Sequence, residues 1–92
     1  SGGGIEFNLS DMQSSPTDQQ FSATVGKKYL VLYSTGTGAT PGIISGGTIV
    51  DSSVFVYTSA YNSKVWLAVV EATASTVVMV GGGNAVNYLQ LD

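Results

Sequence analysis

Carboxylates are the main groups in this 92-residue sequence that could carry acid–base chemistry, because the chain has no histidine and no cysteine. Hydrolysis of a glycosidic bond needs two carboxylates about 5–9 Å apart. Here the acids occur singly, mostly in predicted turns or at strand ends, where acids are usually solvated. They are Glu6, Asp11, Asp18, Asp51, Glu71 and Asp92. Ser-His-acid and Cys-His nucleophiles are excluded as well, so we predict a non-enzymatic protein without catalytic residues.

Cofactor and metal sites find no support in the pattern of residue types. Zinc is held mostly by cysteine and histidine, and the chain has neither. Glycine clusters at 36–38, 46–47 and 81–83 lack the G-x-G-x-x-G spacing and the following Lys-Ser/Thr pair of phosphate-binding loops. We therefore predict turns at these glycines, and no cofactor and no metal.

The charge balance limits the partners of the chain. Its only cationic side chains are Lys27, Lys28 and Lys64, and the net charge is −3. Binding of nucleic acid needs several basic groups on one face, and an anionic membrane surface attracts clustered basic residues. No apolar run approaches the roughly 20 residues of a membrane-spanning helix. We predict neither a nucleic-acid partner nor a membrane partner.

Aromatic residues offer one candidate ligand site. Tyr61 and Asn62 lie in a predicted loop beside Trp66, the only tryptophan. Amphipathic rings of this kind can stack on a sugar while a polar tip stays in water. The alternative is that Trp66, inside an apolar run, belongs to the core or to a subunit interface.

Short alternating or apolar segments, separated by Gly, Pro, Ser and Asn, recur about every 8–12 residues, a pattern typical of an antiparallel sandwich or barrel. The predicted strands are 5–9, 19–25, 28–34, 43–50, 53–58, 64–72, 76–80 and 85–91, with a bend or bulge at Gly46-Gly47. We predict an all-β fold, a single small antiparallel β-sandwich of jelly-roll or Greek-key type with seven or eight short strands. Residues 5–92 would form this domain with about four strands in each sheet, and residues 1–4 a flexible linker or an expression-vector remnant.

Several predicted strands are apolar on both faces, whereas a two-layer sandwich covers only one. Only 10% of the residues are charged, against about 25% in typical soluble domains. Burial of the second face would favour self-association, and a closed homotrimer would also protect strand edges. The residues expected at that interface are Tyr29, Val31, Tyr33, Phe55 and Tyr57.

Three segments carry a resemblance to a known class of domain: Gly26–Tyr33, Lys64–Thr73 and the tyrosine-bearing residues 85–91. In these the chain resembles small β-sandwich domains of phage and prophage virion proteins, of the tail-fibre, baseplate and capsid-decorating types. The resemblance implies a structural or adhesion role as a homotrimer, with other virion subunits or a cell-surface glycan as further partners. It implies a location in a virion or at the cell surface. The alternative function is that of a carbohydrate-binding module of a secreted or cell-surface protein.

Overall fold

The computed structural model describes residues 6, 8–35, 39–56, 64–81 and 83–91, with side chains throughout except at 54–56. Within these ranges the regular structure consists of eight strands and one turn of 3-10 helix, Leu9–Asp11. The strands are β1 (Gln13–Ser14), β2 (Gln20–Ser22), β3 (Lys28–Ser34), β4 (Ile43–Ser45), β5 (Gly47–Val56), β6 (Lys64–Ala72), β7 (Thr76–Met79) and β8 (Asn87–Gln90). No helix in the described ranges is long and apolar enough to cross a membrane.

Two antiparallel sheets form a sandwich, which confirms the predicted fold class. The larger sheet has the order β1-β8-β3-β6-β5 and the smaller one the order β2-β7-β4. The pairs β1–β8, β2–β7 and β3–β6 are nested, as in a ribbon folded back on itself, which is the wiring of a jelly roll. Because β5 joins the larger sheet beside β6, the division is five strands and three, not the expected four and four.

Strands β3 and β6 form the centre of the larger sheet. Both are rich in β-branched and aromatic residues, which favour the pleated conformation, and both have the bounds predicted from the sequence. They pair without a register shift from Lys28 opposite Glu71 to Ser34 opposite Val65. The long regular ladder puts paired side chains of the two strands on the same side of the sheet, since successive residues point to opposite sides.

One cluster of side chains fills the space between the sheets. Its β6 members alternate with half-buried residues, so Trp66, Ala68 and Val70 point inward. Trp66 is only 1% exposed. Among the described residues, the cluster consists of Phe21, Tyr29, Val31, Tyr33, Trp66, Ala68, Val70, Ala72, Val77, Met79 and Val86.

The chain passes from the smaller sheet to the larger one at Gly46, between β4 and β5. Gly46 has φ +83°, and a Cβ there would overlap the carbonyl oxygen of Thr76. Its own carbonyl oxygen accepts hydrogen bonds from the amides of Thr73 (2.8 Å) and Ala74 (3.2 Å). A bend at this glycine pair is confirmed, but it divides the predicted strand 43–50 into β4 and β5, which belong to different sheets, so one continuous segment serves both layers.

Two local predictions are wrong. Leu9, expected to close a first strand, begins the 3-10 turn and is 64% exposed. The turn forms because the amides of Asp11 and Met12 bond to carbonyls three residues back, whereas residues 5 and 7 of that strand lie outside the described residues. The polar pair Asp51-Ser52 does not end a strand either, because β5 runs through it after a register shift beyond Ile49.

Candidate functional site

The outer face of the larger sheet, directed away from the smaller one, carries a continuous apolar surface. In the ladder, Leu30 lies between Val69 and Leu89, and the next row pairs Leu32 with Leu67. Leu30 is only 3% exposed although it is not part of the cluster between the sheets, whereas the other four are half-buried. We call Leu30, Leu32, Leu67, Val69 and Leu89 the outer aliphatic face.

Polar residues border the outer aliphatic face. Lys28 and Glu71 lie opposite each other at one end of the β3–β6 ladder. Asp51 and Ser53 pair with Val69 and Leu67 from the edge strand β5 and are exposed. An apolar centre with a polar rim is the usual anatomy of a protein–protein interface.

The outer face of the smaller sheet is different in character. Its residues alternate with the buried Phe21, Val77 and Met79, and they include Gln20, Ser22 and Thr76 with Val78 as the aliphatic residue of the central strand β7. Ile44 on β4 is 61% exposed. This surface is mixed, so the larger sheet presents the more apolar outer face.

The residues predicted for the oligomer interface are on the wrong side of β3. Tyr29, Val31 and Tyr33 are 3%, 0% and 1% exposed and belong to the core cluster, so they cannot meet another subunit without unfolding this one. Only the backbone of Phe55 is described, and it pairs with Val65. Tyr57 lies outside the described residues. Both faces of β3 are apolar, so the sequence pattern does not distinguish the face that meets the smaller sheet from the face that points away from it.

The predicted sugar site around Trp66 also fails at its central residue. A ring that is 1% exposed cannot stack on a ligand, so the alternative, a core tryptophan, is correct. Tyr61 and Asn62 lie outside the described residues. Among the residues described, no group of three His, Cys, Asp or Glu side chains could hold a metal ion.

A cleft of about 370 Å³ opens at one margin of the sandwich, between the 3-10 turn, β1, β8 and the end of β2. The residues that line it are Asp11, Gln13, Ser22, Ala23, Thr24, Tyr29, Tyr88, Leu89 and Gln90. They come from four separate parts of the sequence, and no short motif joins them. Only the β1–β8 pairing, Gln13 opposite Tyr88, brings the amide and the aromatic ring together.

Stacked aromatic rings form one wall of this cleft. Tyr88 is half-buried, and its ring stacks on Phe21 with centroids 4.7 Å apart and an interplanar angle of 21°. Tyr29 meets both rings edge-on, at 5.4 and 6.3 Å. The Tyr29 hydroxyl accepts a hydrogen bond from the Thr24 amide (2.7 Å) and donates to Oε1 of Gln90 (3.3 Å). These contacts hold the wall rigid.

The hydroxyls of Tyr29 and Tyr33 have opposite surroundings, and this predicts opposite effects of removing them. In the described part of the chain, the Tyr33 hydroxyl has no hydrogen bond of good geometry. A buried hydroxyl without a partner costs about 1–3 kcal/mol, whereas a satisfied one contributes about 1 kcal/mol. We expect Tyr33→Phe to leave the free energy of unfolding unchanged or raise it by about 1 kcal/mol, and Tyr29→Phe to lower it by about 1 kcal/mol. Urea unfolding of the two variants checks this, and a loss at Tyr33 as large as that at Tyr29 contradicts it.

The buried hydroxyl of Tyr33 also predicts that the stability of the protein falls at alkaline pH. Burial raises the pKa of Tyr33 above its ordinary value, the charge of Asp18 adds to the rise, and the backbone of Asn84 partly offsets it. The folded protein therefore favours the neutral phenol more than the unfolded chain does. The stabilisation that comes from this preference is fully present below about pH 10, the pKa of tyrosine in the unfolded chain. It is lost as the pH rises through the higher pKa of Tyr33 in the folded protein. Urea midpoints from pH 8 to 11 should fall less steeply for Tyr33→Phe than for the wild type; parallel profiles would refute the assignment.

No family model, curated protein or solved structure matches this chain. The two candidate sites, the outer aliphatic face and the cleft, are therefore supported by the geometry of the structure and not by a relative.

Proposed function

We propose that this chain is a non-enzymatic structural module that assembles into a homo-oligomer through its outer aliphatic face. The observation that carries the proposal is the row of Leu89, Leu30 and Val69 across three adjacent strands, on the side of the sheet that the smaller sheet does not cover. Leu30 is already buried, so contact with a second copy would remove mainly the half-buried Leu89 and Val69 from water, at a gain of about 25 cal/mol per Å² of apolar surface.

The composition supports a second copy of the chain as the occupant of this face. A chain with six acids and three lysines offers few charges that would oppose close approach of two copies. At the rim, Lys28 and Glu71 lie opposite each other within one chain and supply one charge of each sign, so together they add no net charge that would repel a second copy.

We propose a trimer in particular, with a structural or adhesion role of the kind found in phage and prophage virion proteins. Three sheet faces meeting at one axis would bury the outer aliphatic face in a closed assembly without leaving it open for further copies. The resemblance of Gly26–Tyr33 and Lys64–Thr73 to virion domains favours this stoichiometry. In such an assembly the location would be a virion or a cell surface.

Light scattering coupled to size exclusion at low micromolar concentration tests the proposal. We expect three times the 9.4 kDa chain mass for the wild type and one chain mass for Val69→Lys, because an ammonium group cannot be buried without a partner. Ile44→Lys is the matched control, since it places the same charge on an exposed aliphatic strand residue of the other sheet. It should leave the assembly unchanged.

Each outcome of this experiment bears on a different part of the proposal. A wild-type protein with the mass of one chain refutes self-association. A wild-type mass of two chains refutes the trimer but agrees with the outer aliphatic face as the interface. Dissociation by Ile44→Lys but not by Val69→Lys assigns the interface to the smaller sheet and refutes the proposed face. Circular dichroism of each variant verifies that the fold is kept.

A further inference from the structure

We infer that the cleft beside β1 and β8 is a binding site for a neutral carbohydrate. The inference goes beyond self-association, because among the described residues the cleft and the outer aliphatic face share only Leu89. The cleft lies at the small end of the range of about 300–1,000 Å³ that ligand sites occupy. It suits a mono- or disaccharide better than a long chain.

The polar side chains that line the cleft match a ligand with several hydroxyl groups. Asp11 supplies an acceptor-only carboxylate, Gln13 supplies an amide that can donate and accept, and Thr24 supplies a hydroxyl. Sugar hydroxyls both donate and accept, so a ring of mixed amide, carboxylate and hydroxyl groups can satisfy several at once. The amphipathic ring of Tyr88, backed by Phe21, supplies an apolar surface for the C–H face of a sugar.

Charge decides between neutral and anionic ligands. The side-chain cations of the chain are Lys27, Lys28 and Lys64, and none of them lines the cleft. A phosphate or carboxylate would meet Asp11 without a compensating positive side chain, which is unfavourable. Phosphorylated and acidic sugars are therefore expected to bind more weakly than neutral ones.

Hydrogen bonds hold the wall of the cleft in place, which favours ligand binding. The Tyr29 hydroxyl links the Thr24 amide to the Gln90 side chain, so the residues on both sides of the opening are held together before any ligand arrives. The amide of Ala23 is bonded to the carbonyl of Ser75 (2.9 Å), which ties the same margin to the start of β7. A pre-organised site loses less entropy on binding.

A glycan array of neutral and acidic glycans, followed by NMR titration with the tightest neutral hit, tests the site. We expect saturable shifts in the backbone amides of residues 22–24 and 88–90. Asp11→Asn and Gln13→Ala should each weaken binding about tenfold, as expected for loss of one hydrogen-bonding group. Both residues are exposed, so neither change should unfold the protein.

Two matched variants serve as controls. Asp18→Asn removes another exposed carboxylate, and Ser14→Ala alters the neighbour of Gln13 in the same strand; neither residue lines the cleft. Both should bind like the wild type. The inference is overturned if no neutral glycan binds, if acidic glycans bind as tightly, or if the controls weaken binding as much as the cleft variants. Light scattering of the same samples separates these outcomes from any failure of self-association.

Discussion

Trp66→Ala is expected to lower the free energy of unfolding by about 3–5 kcal/mol, the cost of removing a large buried ring. Trp66 is 1% exposed and lies in the central ladder opposite Tyr33. The side chain is among the largest fully buried ones in the described chain, so its loss would leave a cavity that the paired strands cannot close. A domain of this size has only about 5–15 kcal/mol of stability in total.

Urea unfolding followed by circular dichroism measures this effect, because the variant has no tryptophan left for fluorescence. Trp66→Phe is the graded control, since it keeps an aromatic ring and should lose clearly less. Protein concentration must be the same for all samples, because assembly makes stability depend on it. Unfolding of Trp66→Ala at the wild-type urea concentration would show that the ring is not a core residue. The effect also means that Trp66→Ala is a poor probe of sugar binding, since the lost stability would lower binding even if the ring touched no ligand.

Gly46→Ala is expected to lower the free energy of unfolding by about 3 kcal/mol or more. An L-residue at φ +83° loses about 1–2 kcal/mol from its backbone conformation alone. The added Cβ would also overlap the Thr76 carbonyl oxygen, and backbone atoms cannot rotate away as a side chain can. Relief requires the β4–β5 corner to move, which would weaken the hydrogen bonds from the amides of Thr73 and Ala74 to the Gly46 carbonyl.

Gly26→Ala is the matched control for this prediction. Gly26 has a similar φ of +88°, but nothing lies within 4 Å of the position its Cβ would take. It should show the conformational cost of about 1–2 kcal/mol without the collision. The difference between the unfolding midpoints of the two variants, in heat or urea, measures the cost of the collision between the added Cβ and the backbone at the start of β7. Equal losses would mean that the corner is not packed against the Thr76 backbone.

The elements of the fold followed from the sequence wherever local pattern and long-range pairing agree. Lys28–Ser34 and Lys64–Ala72 are strands by composition alone, and the same residues pair with each other along their whole shared length. The Gly46-Gly47 bend was likewise readable from residue type. The short β1 was missed because two polar residues, Gln13-Ser14, form a strand only through pairing with β8.

The candidate sites could be predicted only in part. The composition predicts that one apolar face lies outside the sandwich, but the sequence pattern places Tyr29, Val31 and Tyr33 on it, where the structure has Leu30 and Leu32. Periodicity defines two faces of a strand and does not say which one meets the second sheet. The cleft has no sequence signal, because Asp11 and Gln13 come close to Tyr88 and Gln90 only through the pairing of β1 with the distant β8.

The sequence by itself determined that this protein is a small β-sandwich with too few charged residues to solvate both faces of its central strands. Those properties reside in residue types and in alternation along a strand, which neighbouring residues set locally. Tertiary structure alone decided that the tyrosines of β3 and Trp66 point inward, that the leucines of β3 point outward, and that a polar cleft opens beside β8. Facing and proximity depend on how two sheets stack, and stacking is a relation between segments far apart in the chain.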